Sequence, residues 1–393
     1  MSNSELTRRI NLQRPSTLIS IWSWLFNLTL YGILIYVAFN ISRITIRARI
    51  AGESSLFASF PRLMLVGALI LLLTSTFHEL GHLFGGWLAN LRFHLLVVGP
   101  LKISRESGKL RLGLSGGMAL FNGLAASYPE KIYDLRRRML LFAAGGPLAS
   151  ILLAAVAGAV YWWLRPGPFL RPQPVPAWVV ESAAITAVSS FIFFLTSTKP
   201  GQYQNGMVAD GGRILTLLQN REPATRWCSL IALNSADTQG VRPRDWDEKL
   251  VQGALVAQDG SQESLVGLLM AYRWARDSEL FVQAATHLEA GLPDRPGLFQ
   301  GVRVQLALEK AYLTAAYHQN AEEVRPWLIP LGRRSKNHPL SCRAETAVLL
   351  AEGKTQAAHQ RAQDGLKALA AQPQTGSNLA EKAWLEELVG SAE

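Results

Sequence analysis

The chain has 393 residues, 49% hydrophobic and 17% charged, with a formal net charge of +10. The charge is uneven: residues 1–220 carry 20 Lys and Arg against 8 Asp and Glu, whereas residues 221–393 carry 19 against 21. A basic balance confined to the apolar half speaks for membrane topology, and without a basic patch interleaved with aromatics it argues against a nucleic-acid partner.

Residues 1–19 are mostly polar and carry Arg8, Arg9 and Arg14 ahead of an apolar segment. That segment is about twice a signal-peptide core and ends without a small-residue cleavage site, so it reads as a retained anchor. Four segments reach the roughly 20 residues needed to cross a bilayer: 18–41, 62–91, 139–164 and 177–198. Trp22, Trp24, Trp162 and Trp163 sit near their ends, where amphipathic rings favour the lipid–water interface. The expected fold is an α-helical membrane protein with about four transmembrane helices, embedded in a lipid bilayer. Its parts are 1–61 (tail, first span and loop), 62–220 (membrane core) and 221–393 (a soluble all-α domain).

The 92–138 connection holds Arg92, Lys102, Arg105, Lys109, Arg111, Lys131 and Arg136 to Arg138. That places it on the cytoplasmic side, together with both termini. The 42–62 loop runs against this assignment, since it puts Arg43, Arg47, Arg49 and Arg62 outside. Four spans without a targeting sequence suit a prokaryotic plasma membrane. Within the basic connection, "HLLVVGPLKISRESGKLRLGLSGGMALF" alternates apolar and polar residues around Glu106 to Lys109 and reads as a β-hairpin. It is either a loop without a role or a strand edge able to pair with an extended peptide.

From about 221 the chain is polar and helical. Three segments read as helix, short turn, helix, with turns near Asp277, Asn320 and Gly353. The irregular spacing is similar to degenerate tetratricopeptide-like repeats; plain helical packing is the other reading. Either stack offers a concave surface to a cytosolic protein partner. The two cysteines, Cys228 and Cys342, have no Cys-x-x-Cys spacing and suit a reducing compartment.

The second span contains "TSTFHELGHLFGG", residues 74–86. His78 and His82 are four apart, so on a helix they share a face and can bind one metal ion. Glu79 projects beside that face, where it can deprotonate a metal-bound water. A carboxylate in lipid costs a few kcal/mol unless offset, and a divalent cation on the adjacent imidazoles offsets it. Gly81, Gly85 and Gly86 let a second helix approach closely. Catalytic zinc sites usually have three protein ligands. His287, His318, His338 and His359 lie in the polar half, and His94 in the β-like connection. Of the few acidic residues before 220, Asp210 in "GQYQNGMVADGGRILTLL" follows a non-helical stretch, opens an apolar helix and can turn back toward the bundle.

With these motifs the chain resembles the site-2 protease family of intramembrane zinc metalloproteases, over about residues 62–220. That family pairs H-E-x-x-H on one span with Asp-Gly at the end of a later one. "AAGGPLAS", 143–150, is similar to its Ala-Gly-Pro stretch, and "VVGPL", 97–101, to its membrane-associated β region. The resemblance implies one zinc held by His78, His82 and Asp210, Glu79 as general acid/base, and a transmembrane protein as substrate in regulated intramembrane proteolysis. Two positions depart from the family. Serine stands at Ser197, where the family's Asn-x-x-Pro has asparagine, with Gln202 as the ungapped alternative. Ser150 also occupies a usual asparagine position. No PDZ-like insertion separates spans three and four. Two further classes stay open: a proteolytically inactive membrane scaffold that recruits a cytosolic partner, and a zinc or solute transporter, for which other intramembrane polar residues are few.

Overall fold

Among the described residues, three helices are long and apolar enough to cross a membrane: α1 (Phe60–Leu88), α2 (Leu135–Leu164) and α3 (Ala177–Ser197), with mean hydropathies of 1.8, 2.1 and 1.8. They belong to a computed structural model that describes residues 28, 32, 36, 39–46, 48–50, 52, 55–106, 109–115, 123–165, 175–200, 208–291, 300–318, 324 and 338–390. The expected span at 18–41 falls largely outside the described residues; 39–46 and 48–50 are helical. One structural unit takes in residues up to 127, 134–202 and 208–219, and a second takes in 128–133 and 220–393.

In the first unit the side-chain distribution is the reverse of a soluble fold. Leu65, Leu69, Phe84, Leu148, Leu152 and Trp163 are exposed, while Thr74, Ser75, His78, Glu79, His82 and Ser150 are buried. Polar groups inside a bundle and leucines outside are what a hydrocarbon surrounding favours. α1 and α2 approach closely through glycine. A Cβ on Gly81 would overlap the Gly145 carbonyl and one on Gly145 would overlap the Gly81 carbonyl, so neither position accepts a side chain.

Two helix ends differ from expectation. α1 stops at Leu88 because Asn90 turns the chain at φ 54° and a strand begins at Leu91. α2 starts four residues before 139, so Arg136 to Arg138 form its first turn rather than part of a loop. These arginines also cap neighbouring helices. Arg138 donates from Nε to Ala89 O and from Nη2 to Asn90 O, each 2.7 Å, at the end of α1. Arg136 donates at 3.4 Å to Leu217 O near the end of α4 (Asp210–Gln219). A cation at a helix C-terminus satisfies orphan carbonyls and opposes the negative end of the dipole.

Between α1 and α2 lies a four-stranded sheet of β1 (Leu91–Val98), β2 (Leu101–Glu106), β3 (Lys109–Leu114) and β4 (Leu124–Pro129), in the order β3-β2-β1-β4. The expected hairpin is β2–β3, paired antiparallel from Leu101 opposite Leu114 to Glu106 opposite Lys109. β1 adds to it through Leu95 opposite Ser104. β4 was not expected. β3 and β4 are the two edges.

At the far end of the bundle, Glu181 is fully buried and its charge is matched by donors. It accepts from Ser55 Oγ at 2.6 Å, Leu56 N at 2.7 Å and Thr45 Oγ1 at 3.3 Å. The carboxylate thereby ties the helical stretch 39–46 and the 3-10 turn Leu56–Ala58 to α3.

The second unit is helical: α5 (Glu222–Thr238), α6 (Glu248–Leu255), α7 (Gln262–Asp277), α8 (Phe281–Gly291), α9 (Gln300–His318), α10 (Pro339–Ala351), α11 (Thr355–Ala370) and α12 (Gly376–Gly390). Turns fall after Asp277 and at Gly353 (φ 73°), as expected; Asn320 lies outside the described residues. Leu233, Val251, Tyr272, Leu288 and Tyr312 build its core. Inside that core Arg343 bonds Glu309 at 2.7 Å and Glu381 at 2.8 Å, and Tyr272 donates to Glu309 at 2.7 Å. Burial raises the Glu381 carboxyl above its ordinary range, against the opposing pull of the Arg343 charge.

Candidate metal centre

α1 presents His78 and His82 on its buried face, and both rings are T-shaped to one another with centroids 4.8 Å apart. Each ring is oriented through Nδ1 by α2. His82 Nδ1 lies 2.8 Å from Phe142 O, and His78 Nδ1 lies 2.9 Å from Ser150 Oγ. A carbonyl only accepts, so His82 carries its proton on Nδ1 and its Nε2 lone pair faces inward. Phe142, Gly146 and Ser150 follow at intervals of four on one face of α2. Gly146 is required there, because a Cβ would overlap the His82 ring.

The third donor arrives from α4. Asp210 opens that helix, and Gly211 lets it seat on the end of α3, where a Cβ would overlap the Thr198 carbonyl. Asp210 Oδ2 lies 3.2 Å from His78 Nε2 and 3.4 Å from His82 Nε2, and the two Nε2 atoms are 3.2 Å apart.

These three atoms suit a metal ion on two counts. At zinc bond lengths of about 2.0–2.1 Å, two ligands of a tetrahedral site stand about 3.3–3.4 Å apart, close to the separations seen. The donor chemistry agrees: a carboxylate oxygen and an inward-facing imidazole lone pair converge, and acceptors crowded together call for a cation. Among the described residues, His78, His82 and Asp210 are the one group of His, Cys, Asp or Glu able to hold a metal ion in this way. The structure thus brings together all three residues singled out as ligands, while His94 stays in β1 outside the group.

Glu79 is buried beside the group, 8% exposed. The segment leading into β4 covers it: the Ala125 backbone hydrogen-bonds its carboxylate, and a Cβ on Gly123 would overlap that carboxyl. Sequence reasoning missed this contact along with the role of Ser150, which it treated only as a departure from a family pattern. The i, i+4, i+8 spacing of Phe142, Gly146 and Ser150 puts them on one helix face and is the signal in the sequence that could have led there. Ser197 is 5% exposed and its hydroxyl donates to Phe194 O of its own helix at 3.2 Å; Gln202 lies outside the described residues.

Comparison with known proteins returns no match: no protein-family model, no curated protein and no solved structure is similar to this chain. The chemistry of the site is therefore argued from its own residues.

Proposed function

We propose that the chain is an intramembrane zinc metalloprotease, similar in kind to the site-2 proteases, that hydrolyses peptide bonds of membrane-embedded proteins. One observation carries the reading: Nε2 of His78, Nε2 of His82 and Oδ2 of Asp210 form a triangle with 3.2, 3.2 and 3.4 Å sides, and Glu79 is buried next to it. The chemistry supplied by a zinc held there is Lewis-acid polarisation of the scissile carbonyl and activation of a water at neutral pH.

The chain's own residues do the rest. Glu79 receives the proton of the attacking water and passes it to the leaving nitrogen. The Ala125 backbone fixes the carboxylate for that transfer, and Ser150 and the Phe142 carbonyl hold the imidazoles in register. Burial of His78, Glu79 and His82 holds bulk water back, while Asp210, its side chain 24% exposed, is the open side of the group. A helical substrate has its carbonyls occupied, so it must unwind locally. An extended segment can then pair with an open sheet edge, and β4 is the nearer edge because Ala125 belongs to it. In this reading the protein is integral to a prokaryotic plasma membrane, with a fourth span before α1 and both termini cytoplasmic. The helical hairpins of the second unit, of tetratricopeptide-like or plain ancestry, receive a cytosolic protein partner.

The second reading is a membrane scaffold without proteolysis. It is favoured by Ser197, whose hydroxyl is turned to its own helix where a substrate-binding amide would stand. Reconstituted wild-type and Glu79→Gln chains separate the two when membrane-released fragments are catalogued by mass spectrometry. Proteolysis predicts fragments that vanish in Glu79→Gln while zinc is retained; identical fragment sets overturn it.

A further inference from the structure

Away from the metal-ligand group, a cleft of about 400 Å³ opens between α2, α3 and the helix that precedes α1. Its size falls in the usual range of ligand pockets, about 300–1,000 Å³. Its walls are Ile151, Ala154 and Ala155 of α2 and Ala184, Ala187 and Phe191 of α3. The four alanines leave room that larger side chains would fill. Tyr36, Asn40 and Tyr161 line it as well, and these polar groups gather toward one end, the end at which α2 finishes and α3 begins.

The depth of the cleft has a physical meaning. From Ile151 to Tyr161 along α2 is about 15 Å at 1.5 Å per residue. That is half of the roughly 30 Å hydrocarbon core, the reach of a single acyl chain.

The polar end is cationic. Arg165 follows Tyr161 by one turn, its amide donating to the Tyr161 carbonyl at 2.9 Å. Arg165 stacks on Trp162 with its guanidinium carbon 3.2 Å from the ring centroid. Arg43 sits one turn beyond Asn40 and 5.8 Å over the Phe39 ring. Among the described residues neither arginine forms an ion pair. The nearby carboxylate, Glu181, is committed to Ser55, Leu56 and Thr45. An apolar slot one leaflet deep, with two unneutralised guanidiniums and two phenols at its mouth, matches a lipid with an anionic head. It also gives a reason for Arg43, one of the arginines that run against the orientation rule.

We propose that this cleft holds one acyl chain of an anionic phospholipid, whose phosphate is bound by Arg43 and Arg165 with Tyr36 and Tyr161 at the glycerol level. The site is independent of the proteolytic reading, since none of its residues belongs to the metal-ligand group.

The test reconstitutes the full chain in nanodiscs of phosphatidylcholine with a minor fraction of phosphatidylglycerol, then transfers it to mild detergent for native mass spectrometry. The expected result is one phosphatidylglycerol kept per wild-type chain, in excess over its share of the bilayer and not displaced by inorganic phosphate. Arg43→Gln combined with Arg165→Gln should weaken that retention on the order of 30-fold, about fivefold for each cation near an anionic head. Ala155→Phe with Ala187→Phe, which fills the slot, should remove retained lipid of both kinds. The wild-type preference needs no variant to fold. Equal retention of the two lipids by wild type, full retention in the arginine variant, or a protein segment kept in place of lipid would each overturn the proposal.

Discussion

Ser150→Ala probes the orienting contact behind His78. Ser150 is fully buried and its Oγ stands 2.9 Å from His78 Nδ1. The substitution removes one hydroxyl, keeps the helix and opens a void no larger than an oxygen atom, so packing is nearly untouched. What changes is that a buried ring nitrogen loses its partner, at a cost of about 1–3 kcal/mol, and the ring is freed to rotate its Nε2 out of the triangle. Loss of such an orienting partner lowers metal affinity about 10–100-fold, or about 1.4–2.8 kcal/mol. The assay is zinc affinity by competition with a chromophoric chelator, with far-UV circular dichroism to confirm the fold. Ser150→Asn should restore most of the affinity, because an amide can reach the same nitrogen. Wild-type zinc affinity in a folded Ser150→Ala chain would refute the assigned role.

Gly145→Ala should lower thermal stability by roughly 1–3 kcal/mol through overpacking against Gly81. Gly158→Ala, whose added methyl meets nothing nearer than Ala187 Cβ at 4.0 Å, should be tolerated; equal melting points would contradict the close crossing of α1 and α2. Arg343→Leu leaves Glu309 and Glu381 buried without their cation and should cost about 3–5 kcal/mol. Denaturant unfolding followed by tryptophan fluorescence reads this, since Trp384 lies 4.8 Å from the guanidinium; an unshifted midpoint would remove the network from the core. Glu181→Ala strands the Leu56 amide and should expose the chain at Ser55 and Leu56 to limited proteolysis; an unchanged cleavage pattern would show that the tie to α3 is dispensable.

Much of the candidate site can be read from residue spacing alone. His78 and His82 share a helix face by arithmetic, and Asp210 stands out because carboxylates before residue 220 are scarce. The orienting contacts are less legible. Whether Ser150 faces His78 depends on how α2 crosses α1, and that crossing is set by Gly81 and Gly145 together. β4 escaped notice because "LAASYP" has neither β-branched residues nor clear alternation; it is a strand because β1 offers it an edge. The first turn of α2 was misread because Arg136 to Arg138 look like a loop until Ala89, Asn90 and Leu217 carbonyls are placed beside them. The bundle's buried serines and threonines, by contrast, follow from solvent: polar groups turn inward where the outside is lipid.

The most direct test of the central claim is zinc-edge X-ray absorption on the chain purified without chelators, with metal content measured in parallel. The account predicts one zinc per chain bound by two imidazole nitrogens and a carboxylate oxygen at about 2.0–2.1 Å, with occupancy lost in His82→Ala and in Asp210→Ala. A metal-free wild-type chain, or full zinc occupancy in both variants, would contradict it.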